Sequence, residues 1–208
     1  MLAYVKDPQE IYRLSFEIIG REAGIGRLPA DVAPLAIRLI HACGMPDIVE
    51  QLAFSDDVVS RAREALGRGA PILCDTPMTA AGIIRRHLPA DNDVVTGTEH
   101  PDVAERARAI GNTRSAAGVE LWGERLDGSV VAIGNAPTAL FHLIERIDLD
   151  GYRPAAILAF PVGFVGAAES KELLAASGLG IPFITLRGRR GGSAMAAAAV
   201  NALLIGAA

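Results

Sequence analysis

Arg38 and His41 are the pair in this chain best placed to do chemistry. Three residues apart in a helical pattern, they share one face. An imidazole titrates near neutral pH, which suits it to lend or take a proton, and a neighbouring guanidinium suits it to work beside a bound anion. The same pair also fits a plainer role, because the last turn of a helix attracts cations. Spacing alone leaves both readings open.

Three further features carry the same double reading. Ser15 interrupts the apolar stripe of Ile11, Leu14, Ile18 and Ile19. It fits a hydroxyl bonded back to its own helix, or one aimed at a ligand. Arg114 follows Thr113, a plausible N-cap, and so lies in a first helical turn, where the dipole disfavours a cation. A protein carboxylate or an anionic ligand would answer it. Arg187, Arg189 and Arg190 cluster among glycines, either as a solvated loop or as a carboxylate- or phosphate-binding one. His87, His100 and His142 read as structural, and Cys43 and Cys74 as small core residues.

Positioning these side chains requires elements, and the pattern supplies them. Asp7-Pro8-Gln9-Glu10 reads as an N-cap, a first-turn proline and a capping-box glutamate, opening a helix to about Ala23. Asp31 caps a second helix that Gly44 ends. Ser55-Asp56-Asp57 opens a third. From Pro71 onward, apolar runs at 71–74, 93–96, 129–133, 155–160 and 182–186 alternate with helices. That alternation predicts an α/β fold: a single domain over residues 1–208, with a mainly parallel five-stranded sheet, helices on both faces and an N-terminal helical segment. The alanine-rich end, 195–205, reads as a buried or interface helix.

In such sheets ligands bind beyond the carboxyl ends of the strands. Here those ends are Asp75-Thr76-Pro77-Met78, Gly134-Asn135-Ala136-Pro137-Thr138, Pro161-Val162-Gly163-Phe164-Val165-Gly166 and Gly188-Arg189-Arg190-Gly191-Gly192-Ser193. Each fits an ordinary strand-to-helix turn. Together, their glycines and helix N-termini fit a ligand with several anionic groups. Gly134, Asn135, Gly163, Gly166, Arg187, Gly192 and Ser193 are the candidate contacts along this edge.

Composition removes other classes. A net charge of −4 over 208 residues argues against a general nucleic-acid binder. Two cysteines without paired spacing give neither a disulfide framework nor a zinc site, and the start has no signal-peptide core. A cytoplasmic protein outside the membrane is the expectation. Walker A, the Rossmann glycine pattern, the Gly-x-Ser-x-Gly elbow and His-Glu-x-x-His are all missing. The expected chemistry needs no nucleotide cofactor, metal or covalent nucleophile.

Five runs, in order along nearly the whole chain, then carry a resemblance. They are Leu39-Ile40-His41-Ala42-Cys43-Gly44, Ile110-Gly111-Asn112-Thr113-Arg114-Ser115-Ala116-Ala117 and Gly134-Asn135-Ala136-Pro137-Thr138-Ala139-Leu140. The others are Pro161-Val162-Gly163-Phe164-Val165-Gly166-Ala167-Ala168-Glu169-Ser170-Lys171, and Arg187-Gly188 with Gly191-Gly192-Ser193-Ala194. Together they resemble the precorrin-8X methylmutases. The resemblance implies a homodimeric isomerase of corrin synthesis that moves a methyl group from C-11 to C-12 of precorrin-8X by a 1,5-sigmatropic shift, giving hydrogenobyrinate. It implies His41 as proton donor or acceptor, and Ser15, Arg38 and Arg114 as substrate contacts. The cobalt-containing precorrin-8 is an alternative substrate. A non-catalytic tetrapyrrole carrier and a phosphosugar or nucleotide enzyme are the other readings.

Overall fold

The computed structural model describes residue 2 and residues 4–205; residues 1, 3 and 206–208, included in the expected domain, lie outside the described residues. The chain opens with α1 (Pro8–Glu22), where the Asp7 carboxylate accepts from the Gln9 N–H at 2.9 Å. Glu10 does not close the expected capping box. Its carboxylate accepts instead from Arg13, at 2.7 and 2.8 Å, because a charged two-pronged donor one turn away outcompetes a single N–H. In α2 (Val32–Cys43), Asp31 makes no side-chain cap either. The Pro29 carbonyl already accepts from the Val32 and Ala33 N–H groups. Gly44, in the left-handed region at φ 69°, ends α2 as expected.

Among the described residues six strands make one sheet: β1 (Leu52–Phe54), β2 (Ile72–Cys74), β3 (Val94–Thr96), β4 (Val130–Ile133), β5 (Ala156–Ala159) and β6 (Phe183–Leu186). The last five are the expected runs, and their mutual pairings are parallel. The expected count of five is corrected to six. β1 is only three residues long and pairs antiparallel with β6, Leu52 opposite Leu186. So short a run has no readable alternation; its strand character comes from the β6 edge it meets.

The strand order is β1-β6-β5-β4-β2-β3. The chain steps outward from β2 to β3, crosses back to β4, then builds away through β5 and β6. Its direction therefore reverses between β2 and β4, the place where open α/β sheets form a crevice. Further helices among the described residues complete the layers: α3 (Val58–Gly67), α4 (Pro77–Ala81), α5 (Val103–Ala109), α6 (Arg114–Glu120), α7 (Pro137–Asp150), α8 (Ala167–Ala176) and α9 (Ser193–Leu204). On one face, Ile72, Val130, Leu158 and Ile184 pack with residues of α1, α2, α3 and α9. On the other, Leu73, Val131 and Ile157 pack with α7, Trp122 and Leu174. Burial on both faces explains why the strands read as continuous apolar runs. The alanine-rich end is the buried helix α9, whose small side chains let α2 and α4 lie close against it.

Candidate functional site

His41 projects from the last turn of α2 and Ser15 from the middle of α1, and the packing of these two helices brings them together. The Ser15 Oγ lies 2.8 Å from His41 Nδ1. This contact across helices is neither of the two roles the sequence offered Ser15, a bond back to its own helix or one to a ligand. Two aromatic rings complete the setting: Tyr12 lies 5.2 Å from the imidazole at an interplanar angle of 32°, and Phe16 lies 5.5 Å away, edge-on at 90°. The Arg38 guanidinium stands over the Phe16 ring, 5.5 Å from its centroid. Among the described residues, Arg38 forms no ion pair with a carboxylate.

The imidazole stands between two clefts. One, of about 420 Å³, is mostly apolar and is lined by Ile11, Leu14, Ser15, Ile18 and Gly44. The other, of about 260 Å³, is lined by Tyr12, Arg38, Gly82, Ala194, Ala197 and Asn201. With Nδ1 occupied by Ser15, Nε2 has no hydrogen-bond partner among the described residues and is free to exchange a proton with a ligand. The aromatic pair escaped the sequence reading. Its signal was there: Tyr12 and Phe16 are four apart and bracket Ser15, in a chain only 5% aromatic.

At the carboxyl edge, the crevice between β2 and β4 is organised by Asp75, which is 1% exposed. Its carboxylate accepts from the N–H groups of Gly134, Asn135 and Ala136 at 3.0, 2.8 and 2.9 Å, and from the Thr79 hydroxyl at 3.1 Å. At Gly134 and Asn135, two of the expected contact positions, the backbone N–H groups are thus already used within the fold. A buried carboxylate outcompetes a surface ligand for them. Gly134 is needed for a different reason: a Cβ there would sit 2.5 Å from the Ser193 Cα, so only glycine lets α9 close onto β4. The Asn135 side chain remains exposed on this edge. Ser193, largely buried, turns its hydroxyl towards that of Thr76 at 3.4 Å.

Two strand-end loops are braced together beside this crevice. The Gly163 N–H donates to the Arg189 carbonyl at 3.1 Å, and the Gly192 N–H donates to the Phe160 carbonyl at 2.8 Å. Gly163, Gly166 and Gly192 shape these loops with φ of 139°, 77° and 134°. Phe164 and Val165, 83% and 89% exposed, form the tip, with the Arg189 guanidinium 5.4 Å above the Phe164 ring. The arginine cluster is not uniform. Arg187 pairs with Glu172 and Arg190 with Asp47 at 2.7 Å, so both guanidiniums already hold protein carboxylates. Arg189 forms no ion pair among the described residues. Arg114, at the start of α6 behind its Thr113 cap, donates weakly to the Thr98 carbonyl at 3.4 Å and likewise lacks a carboxylate. No described contact joins it to the His41 cluster.

Lys171 underpins the braced loops. It is 0% exposed, and its Nζ donates to the Arg190 carbonyl at 2.7 Å. Burial pushes its ammonium from the ordinary 10.5 down to about 8, and Glu172 offsets this only in part. Between these values the unfolded chain binds the proton that the folded chain has released. Folding stability should therefore rise with pH across that window, by about 3 kcal/mol in all. Urea titrations at pH 7.5 and 10 should show this rise in the wild type but not in Lys171→Met; identical pH profiles would show that the buried ammonium is not strained.

The comparisons with known proteins match this geometry over nearly its full extent. The model of the family described as Precorrin-8X methylmutase matches residues 10–205. A precorrin-8X methylmutase of Pseudomonas aeruginosa is 57% identical over 98% of each chain, and one of Sinorhizobium is 55% identical over 96% of this chain and 95% of the relative. A cobalt-precorrin-8 methylmutase of Priestia megaterium is 35% identical over 95% of this chain and 88% of its own. Among solved structures, the precorrin-8X methylmutase of Thermus thermophilus superposes with a TM-score of 0.84 at 38% identity, covering 94% of each chain. With the match running from α1 through α9, and so over every element that positions Ser15, Arg38, His41 and Arg114, the chain belongs to the precorrin-8X methylmutase family.

Proposed function

We propose that the chain is a cobalamin-pathway isomerase that moves the methyl group of precorrin-8X from C-11 to C-12, giving hydrogenobyrinate. The observation that carries this is the Ser15–His41 pair, an oriented imidazole between two clefts, with the Arg38 guanidinium, free of ion pairs among the described residues, lining the smaller one. In a 1,5-sigmatropic shift one C–C bond breaks, another forms, and the conjugated double bonds move over. Substrate and product are isomers, so no methyl donor or redox partner is consumed. His41 lends a proton from Nε2 to the conjugated macrocycle, which lowers the barrier to migration, and recovers it afterwards. Arg38, Arg114 and Arg189 hold acetate and propionate arms, with Gly163, Gly166, Gly192 and Ser193 shaping the edge. Holding the macrocycle in one pose removes a further part of the barrier.

Metal-free precorrin-8X is the favoured substrate. The Pseudomonas aeruginosa and Sinorhizobium relatives, at 57% and 55% identity, are named for it, whereas cobalt-precorrin-8 methylmutases of Methanothermobacter thermautotrophicus and Synechocystis are 39% and 32% identical. A cytoplasmic, single-domain protein fits the chain, among whose described helices none is long and apolar enough to cross a membrane. The test is incubation with precorrin-8X while recording the visible spectrum and mass. A spectral change at constant mass is expected; binding without change would leave only a carrier.

The site is proposed to be completed by a second copy. Ile11, Tyr12 and Ile18 expose apolar surface beside His41, and Arg114 stands apart from it in the same chain. If the two come together across a two-fold interface, mixing inactive His41→Ala and Arg114→Ala chains should restore about a quarter of wild-type turnover, since half the dimers then hold one intact site. No recovery after confirmed subunit exchange would place both residues in sites built by single chains.

A further inference from the structure

Tyr12 touches the one imidazole on which the proposed reaction depends. It is 49% exposed, so its ring is not a core anchor, yet it lies against His41 rather than turning into solvent. The side chain of His41 has two torsions to fix, and it is itself exposed at the end of α2. Ser15 fixes which ring nitrogen points towards α1. An exposed hydroxyl–imidazole bond competes with water, however, and one contact in the ring plane leaves the ring free to rock about that bond. Phe16 meets the imidazole edge-on at 90°, which limits sideways movement but leaves tilt open. Tyr12, at 5.2 Å and 32°, is the contact that covers a ring face and sets the tilt. Its position also matters. Tyr12 lines the smaller cleft and Ser15 the larger, so the imidazole is gripped from both of the spaces it divides.

We propose that Tyr12 is a positioning residue for the isomerisation, acting through its ring face to hold His41 at the angle from which Nε2 exchanges the proton. This rests on the isomerase reading of the site, though not all of its test does. Tyr12 and Phe16 themselves pack edge-on at 5.8 Å, so the clamp is a unit built on one turn of α1. Phe16 packs against the core as well, which makes its substitution a test of folding. Tyr12 does not carry that burden.

The experiment compares Tyr12→Leu and Tyr12→Phe with the wild type, using precorrin-8X turnover and proton NMR of the four histidines. In Tyr12→Leu, kcat should fall about tenfold while KM moves by less than about twofold. Tyr12→Phe should keep near wild-type kcat, since the ring face and not the hydroxyl does the positioning. The His41 ring protons, shielded by the Tyr12 face, should move downfield in Tyr12→Leu and stay in Tyr12→Phe. That NMR readout needs no turnover, so an inactive wild type would sink the isomerase reading while still testing the clamp. Unmoved His41 resonances or an unchanged kcat in Tyr12→Leu would overturn the proposal. So would a raised KM at constant kcat, which would make Tyr12 a wall for substrate, or a Tyr12→Phe variant as slow as Tyr12→Leu.

Discussion

Replacing His41 with alanine should leave the tetrapyrrole bound and slow its conversion by about two to four orders of magnitude, the range that a positioned acid–base group supplies. The reason for separating the two effects lies in the geometry. His41 is exposed at the end of α2, and alanine is a good helix former, so the variant loses little that the fold depends on. Ser15 gives up its partner, but its hydroxyl can turn to water. The guanidiniums proposed to hold carboxylate arms are untouched: Arg38 still stands over Phe16, and Arg114 still opens α6. A spectral titration with precorrin-8X checks the binding, and a single-turnover trace checks the rate. Wild-type turnover in His41→Ala would remove the imidazole from the mechanism and leave orientation as the whole of the catalysis.

The largest expected effect on stability comes from Asp75. Truncation to alanine strips an acceptor from three backbone N–H groups and the Thr79 hydroxyl, around a carboxylate only 1% exposed. Each buried donor left without a partner costs about 1–3 kcal/mol, so Asp75→Ala should lose about 4 kcal/mol or more. For a chain of this size that corresponds to a fall in Tm of about 8–16 °C. Asp75→Asn keeps the shape but turns an NH2 towards groups that also donate, and should recover only part of the loss. Thermal melts of the two variants decide the matter. A shift within a few degrees for alanine would mean that the β4–α7 turn holds its conformation without the carboxylate.

Much of this fold was readable because its strands are buried on both faces. Such strands leave unbroken apolar runs, and the five parallel ones were placed to within a residue or so. β1 was not, because three residues with one antiparallel neighbour carry no periodicity of their own. The caps divided along similar lines. Asp7 and Thr113 act through local bonds and were legible, whereas Asp31 and Glu10 were displaced by better partners nearby. The site divided by distance in sequence. Arg38 and His41 stand out by helical spacing, but the Ser15–His41 contact joins residues 26 apart and exists only because α1 packs on α2. Asp75 was read merely as the end of a strand. Its role depends on a turn 59 to 61 residues later, which no local pattern encodes.

The braced loops after β5 and β6 have a further consequence, for how this edge can vary. Loops at the carboxyl end of an α/β sheet are usually where insertions are tolerated and new specificities arise. Here each loop supplies backbone bonds to the other, and Lys171 ties the second from below. A Cβ on Gly191 would come within 2.2 Å of the Phe160 carbonyl oxygen, so the two loops cannot even be pushed apart by a methyl group without cost. Lengthening either loop would break its partner. Change at this rim is therefore confined to side-chain exchange at the tip, at Phe164, Val165 and Arg189, while the path of the backbone stays locked.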